Sequence, residues 1–197
     1  LLYSSHLCSP DLGAEDRLNF AQKLQNQLVH LEKMAGEMLQ FVRARPQKTQ
    51  IIALDELVQE AMQTLEGLSQ SKKVVIKAEL KAADCLVTVE RPSVVSALVA
   101  ILENAIQHSA EGQTIIVRTQ ADHLRGMMTI EDNGPGIASD MLPRLFEPFA
   151  TNRVTGTGLG LAIAQNAIRS HRGEITVQNK AEGGALFTVA LPSMANL

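Results

Sequence analysis

Four stretches of this 197-residue chain carry residue types and spacings that could do chemistry. In Leu98-Val-Ala-Ile-Leu-Glu-Asn-Ala-Ile-Gln-His-Ser109, Val95, Leu98, Leu102 and Ile106 share one helical face, suited to packing on a sheet. Ala97, Ile101, Asn104 and His108 follow one another on a second face. An amide in the middle of an apolar helix costs stability without a partner. A metal ion is one such partner: the amide oxygen is a hard ligand suited to Mg²⁺, which keeps several waters and takes phosphate oxygens besides. Taken by itself, the stretch fits a buried Asn satisfied by backbone better.

Glu131-Asp-Asn-Gly-Pro-Gly-Ile137 follows a strand pattern in which alternation puts Met128, Ile130 and Asp132 on one side. A carboxylate buried there could accept from the exocyclic amine of adenine, and Gly134 and Gly136 allow a tight bend and close ligand approach. An ordinary turn explains the same residues equally well. In Leu145-Phe-Glu-Pro-Phe149, Phe146 and Phe149 would anchor the base of a mobile connection. Eighteen residues lie between Ile137 and Gly156, long enough in a compact domain to suggest a lid, with a packed turn as the simpler reading. Last, Gly156-Thr-Gly-Leu-Gly-Leu161 runs directly into a helix pattern, which offers backbone N–H groups and a positive helix end to phosphate. A dinucleotide fold would need a strand immediately before these glycines, and a polar loop stands there instead.

Positioning these groups requires helices and strands, and the periodicities supply both. Residues 14–45 read as one long helix whose Ala21, Leu24, Leu28, Leu31, Ala35, Met38 and Val42 form a heptad seam that needs a partner. Ser9-Pro-Asp-Leu-Gly13 is a turn, residues 1–7 read as the tail of a preceding helix, and Pro46 ends the long helix. Helices are then expected at 55–68, 92–108 and 158–170, and strands at 74–80, 86–90, 115–120, 127–132, 175–179 and 186–191. The fold class is α+β: a two-layer α/β sandwich over 51–193, preceded by a truncated helical hairpin over 1–46. A formal charge of −3 and one Tyr argue against a nucleic-acid surface. The longest apolar run, 94–102, is half a membrane span. Cys8 and Cys85 stand far apart, with no metal or disulfide pattern, so the expected location is cytoplasmic with no membrane contact. An opening of Leu1-Leu2-Tyr3 without Met reads as a piece of something longer.

Together and in this order, the four stretches resemble the N, G1, F and G2 boxes of sensor histidine kinases, whose ATP-binding domain has the Bergerat fold shared with gyrase, Hsp90 and MutL. The resemblance covers about 54–192, and the hairpin is similar to the dimerisation and phosphotransfer domain of these kinases. It implies Mg²⁺ and ATP as cofactors, with Asn104 holding the metal and Asp132 reading the adenine amine. Gly134, Gly136 and Ile137 would shape the base pocket, with His108 beside the adenine and Phe149 at the lid base. Gly156, Thr157, Gly158, Leu159 and Gly160 would reach the phosphates, with Arg153 at the terminal one. Glu103 sits where related ATPases place a general base. The implied reaction moves the terminal phosphoryl to a His and then to an Asp on the receiver domain of a response regulator, in a homodimer built on the hairpin.

The short lid with Thr151-Asn-Arg153 is similar to nitrogen-regulation kinases, and Leu1-Leu-Tyr-Ser-Ser-His-Leu7 to flagellar sensor kinases. Two departures stand out. Gln107 occupies the place of a phosphate-contacting Lys or Arg. None of His6, His30, His108, His123 and His171 has the acid and Pro context of the phospho-acceptor, which is expected just before Leu1. The rival readings are an ATP-driven clamp of the gyrase, Hsp90 or MutL kind and a degenerate nucleotide-dependent dimerisation module.

Overall fold

The computed structural model describes residues 13–42, 48–151 and 156–194. The expected helix tail at 1–7, the turn residues before Gly13, the break at Pro46, and Arg153 lie outside the described residues. Helix α1 spans Ala14–Val42 and touches the later helix α5. Most of its apolar stripe finds no cover among the described residues: Leu18, Leu28, Val29, Leu31 and Met38 are each more than half exposed.

A two-stranded ribbon comes next. Strand β1 (Gln50–Ala53) pairs antiparallel with β3 (Leu86–Val89), setting Ile52 opposite Val87, both buried. This β1 was not foreseen, because four residues are too few for alternation to register. The expected helix at 55–68 is divided into α2 (Leu54–Thr64) and α3 (Glu66–Lys72). At the division, the Thr64 hydroxyl donates back to the Glu60 carbonyl and Leu65 turns into the core. Local bonding of this kind competes with the helical ladder. Asp55, in the first turn of α2, is buried and accepts from the Thr119 hydroxyl (2.6 Å) and from the Ala82 N–H, so the polar group that α2 buries is satisfied.

The remaining strands are β2 (Val75–Glu79), β4 (Thr114–Ala121), β5 (Arg125–Glu131), β6 (Glu174–Asn179) and β7 (Ala185–Pro192). They form one sheet in the order β2-β4-β5-β7-β6, with β2 parallel to β4 and every other pair antiparallel. Register aligns Val117, Ile130, Phe187 and Val177 across the sheet, and Thr119, Met128, Val189 and Ile175 beside them. These rows meet α4 (Arg91–His108) and α5 (Gly160–Ser170), where Leu98, Ile101, Leu102, Ile106 and Ile168 are essentially inaccessible. Pro92 takes the first turn of α4, where its missing N–H costs nothing. The result is the expected two-layer α+β sandwich, with α2, α4 and α5 over one face. His171 fastens two of its helices: its Nε2 accepts from the Glu90 N–H at the start of α4, and its Nδ1–H donates to the Ala167 carbonyl in α5.

Candidate functional site

A cavity of about 290 Å³ opens between α4, the end of β5 and the start of α5. That is close to the lower bound of small-molecule pockets. Ala100, Glu103, Asn104, Gln107 and His108 line it, a stripe at helical spacing along the edge of α4. Asn104 makes no hydrogen bond with any described residue, and its amide atoms stay open to the cavity. The sequence raised the alternative of a backbone-satisfied Asn; the geometry does not supply those bonds. Its neighbours are engaged: Gln107 Nε2 donates to Glu103 Oε1 at 2.6 Å, one helical turn away. His108 is largely exposed at the cavity edge.

Asp132 stands one residue beyond β5 and is only 4% exposed. Its Oδ1 accepts from the Gly134 N–H (2.9 Å) and the Ala185 N–H (3.1 Å). No described residue donates to its Oδ2, and Asp132 lines the cavity. Alternation along β5 therefore delivers the carboxylate as expected, with half of it locked by backbone and half available to a donor. The turn beyond is held from outside: Asn179 accepts from the Ile137 N–H and donates to the Ile137 carbonyl, as a strand partner would. Ile137, Met141 and Leu145 supply an apolar wall.

The third side is the glycine loop. Phe149 N–H donates to the Gly158 carbonyl (3.0 Å), which joins the two ends of the connection around residues 152–155. Gly158 has φ +68°, and a Cβ there would sit 2.5 Å from the Phe149 carbonyl carbon, so only glycine fits. The Thr157 hydroxyl accepts from the Leu159 N–H, and α5 then begins with its positive end toward the cavity.

Of the residues singled out from sequence, Glu103, Asn104, Gln107, His108, Asp132, Gly136, Ile137, Gly156, Thr157, Gly158 and Gly160 all line this one cavity. Gly134, Phe149 and Leu159 do not. Gly134 lets the turn pass beneath the end of α4, where a Cβ would meet the His108 carbonyl at 2.6 Å. Phe149 is a correction: the residue is 59% exposed, and it is Phe146 that packs against the core. What Phe149 contributes is its backbone N–H. Leu159 is buried beneath the loop. Sequence reasoning missed Asn179 and Lys180, since polar residues before a Gly-Gly turn signal only a hairpin.

Residues 90–195 match the family model of the histidine kinase-, DNA gyrase B-, and HSP90-like ATPases. The chain belongs to this ATPase family. Within it, the chain is similar to the signal transduction histidine-protein kinase AtoS of Escherichia coli, at 34% identity over 82% of this chain and 27% of that protein. It is 32% identical to the sensor protein kinase FleS of Pseudomonas aeruginosa, over 98% of this chain and 47% of that one. The chain thus spans about a quarter to a half of the length of these relatives. The catalytic domain of histidine kinase ThkA superposes with a TM-score of 0.68 at 25% identity, covering 75% of this chain and 99% of that structure. ThkA in complex with response regulator protein TrrA superposes with a TM-score of 0.77 at 23% identity, over 99% of this chain and 55% of that one. The sandwich is therefore the ATP-binding catalytic domain of the histidine-kinase type.

Proposed function

We propose that this domain binds Mg²⁺-ATP in the cavity and passes the terminal phosphoryl to a histidine nitrogen, from which an Asp of a response regulator receiver domain takes it. The observation that carries the reading is Asn104, whose amide makes no hydrogen bond with any described residue and which lines a cavity together with Asp132 and a glycine loop. Oδ2 of Asp132 accepts the adenine amine, and Ile137, Met141 and Leu145 cover the ring. Amides of the glycine loop and the start of α5 meet the phosphates. Asn104, with Glu103 beside it, offers the hard oxygens that suit magnesium. A magnesium ion held there would neutralise phosphate charge. The chain's own residues then act chiefly by positioning, the usual pattern for phosphoryl transfer. The uncovered stripe of α1 supports a homodimer through the hairpin. A cytoplasmic place belongs to the same reading; no helix among the described residues is long and apolar enough to cross a membrane. A role in flagellar gene control is the finer reading, supported by the Leu1–Leu7 wording.

None of the chain's five histidines has the acceptor context, and His171 has both ring nitrogens committed to backbone. The chain incubated alone with γ-labelled ATP is expected to take up no acid-labile label. Adding a separate helical hairpin that carries an acceptor His with its acid and Pro should give label on that hairpin. Label on the chain alone, lost on mutating one of its histidines, or no label on any such hairpin, would overturn the proposal.

Gln107 leaves this site one cation short, and its amide is already committed to Glu103. Gln107→Lys places a Lys four residues after a Glu, the favourable helical order. The new ammonium will therefore be shared between Glu103 and the phosphates. Calorimetry should show ATP gaining less than about tenfold, ADP gaining less still, and both gains shrinking with salt. The gain should increase in a Glu103→Gln background; an unchanged affinity in both would place residue 107 away from the phosphates.

A further inference from the structure

Lys180 has no part in the site as derived above, yet it is one of the most heavily engaged cations among the described residues. It follows β6, in the hairpin that leads to β7, and its side chain is only 17% exposed. Its ammonium donates to Glu131 Oε1 at 2.8 Å, to the Asp132 carbonyl at 3.0 Å and to Asn133 Oδ1 at 2.8 Å. Those are three consecutive residues, the last of β5 and the two that open the turn. All three donors of the ammonium are used, and none points to solvent or into the cavity.

The same hairpin approaches the turn at two further points. Ala185 N–H donates to Asp132 Oδ1, and Asn179 brackets Ile137 through both its backbone groups. Glu131 is itself held from the opposite side by Arg118, which also reaches Glu79 on β2. Lys180 first, and Arg118 after it, keep the Glu131 carboxyl below the usual carboxylate range. An ionised Glu131 thus stays in place to hold Lys180, and Lys180 fixes the backbone from which the Asp132 carboxylate projects.

We propose that Lys180 is a positioning residue for base recognition: by tying Glu131, the Asp132 carbonyl and the Asn133 amide together, it fixes the orientation of Asp132 Oδ2 in the cavity. The inference rests on the ATP-binding reading of that cavity. A carboxylate that selects one base by a single accepted hydrogen bond must be held within a narrow range of directions, because such bonds weaken steeply with angle. Two backbone amides fix its Oδ1; Lys180 fixes the main chain behind it.

The test compares wild type with Lys180→Met, Lys180→Arg and, as a benchmark, Asp132→Ala, using Mg²⁺ with ATP, ADP and GTP in calorimetry well below each variant's Tm. Lys180→Met should weaken ATP and ADP by the same factor, about tenfold, the size expected for a lost charged hydrogen bond. It should also narrow the preference for ATP over GTP toward that of Asp132→Ala. Lys180→Arg should restore most of both. A merely structural role predicts a lower Tm with the base preference unchanged, and that result overturns the inference. Should Lys180→Met fail to fold, Glu131→Gln keeps the Lys side chain while removing the charge that holds it, and must narrow the preference too. Failure of wild type to prefer ATP over GTP would sink the adenine-reading assignment itself. A normal wild-type preference that survives in Lys180→Met would sink only the role of Lys180.

Discussion

Asn104→Ala is expected to remove magnesium-supported ATP binding while leaving the fold intact. Asn104 makes no hydrogen bond with any described residue, and Ala is the stronger helix former, so the Tm should hold or rise slightly. The loss falls wholly on the ligand. Removing a residue that merely supports a metal ligand costs ten- to a hundredfold in affinity, so removing the ligand itself should cost about a hundredfold or more. Asn104→Asp should fail as well: it keeps an oxygen but sets a second carboxylate next to Glu103, against the terminal phosphates. Calorimetry with ATP, run with Mg²⁺ and with EDTA, reads the effect directly. Wild-type affinity in Asn104→Ala, or an equal loss with and without metal, would take Asn104 out of the metal site.

Gly158→Ala should be nearly as damaging to binding, for a different reason. At φ +68° an alanine is strained by roughly 1–2 kcal/mol, and its methyl would press on the Phe149 backbone. Relief of that contact breaks the Phe149 N–H to Gly158 carbonyl bond, which holds the backbone at Phe149 against the glycine loop. The loop amides then lose their common aim at the phosphates. ATP and ADP affinities should both fall by about ten- to a hundredfold, the equivalent of one or two lost charged hydrogen bonds. The Tm should move little, because the clasp lies outside the packed rows of the sheet. If Gly158→Ala binds ATP as wild type does, the clasp does not organise the phosphate site.

Much of the domain was legible in the residues because it depends on short periodicities. Alternation along 127–132 put Asp132 on the buried side of its strand, and the cavity confirms the placement. Helical spacing from 95 to 108 separated a sheet-packing face from one bearing Asn104. Glycines running into a helix pattern marked the loop ahead of α5. Each of these is a local rule, satisfied within a turn of helix or a few residues of strand. They pointed to the α+β class and most of the cavity lining, while the family was legible in the resemblance of the four motifs taken in order.

Other features are contacts between distant segments, which no local pattern reports. Strand β1 exists because Ile52 finds Val87 across 35 residues of chain. Which Phe packs ahead of the glycine loop was decided by tertiary contacts: Phe146 met the core and Phe149 did not. Gln107 looked in sequence like a lost phosphate contact, and only the folded helix shows its amide held by Glu103. The same holds for Asn179 and Lys180, whose residue types fit any hairpin. Their reach across 42 to 49 residues to the turn at Asp132 is set by sheet order, which pairs the start of β7 with the end of β5 and so carries the β6–β7 hairpin to the turn. The sequence by itself named most of the side chains that line the cavity. Tertiary structure decided which side chains are spent on holding the cavity in shape, because that depends on which strands lie side by side.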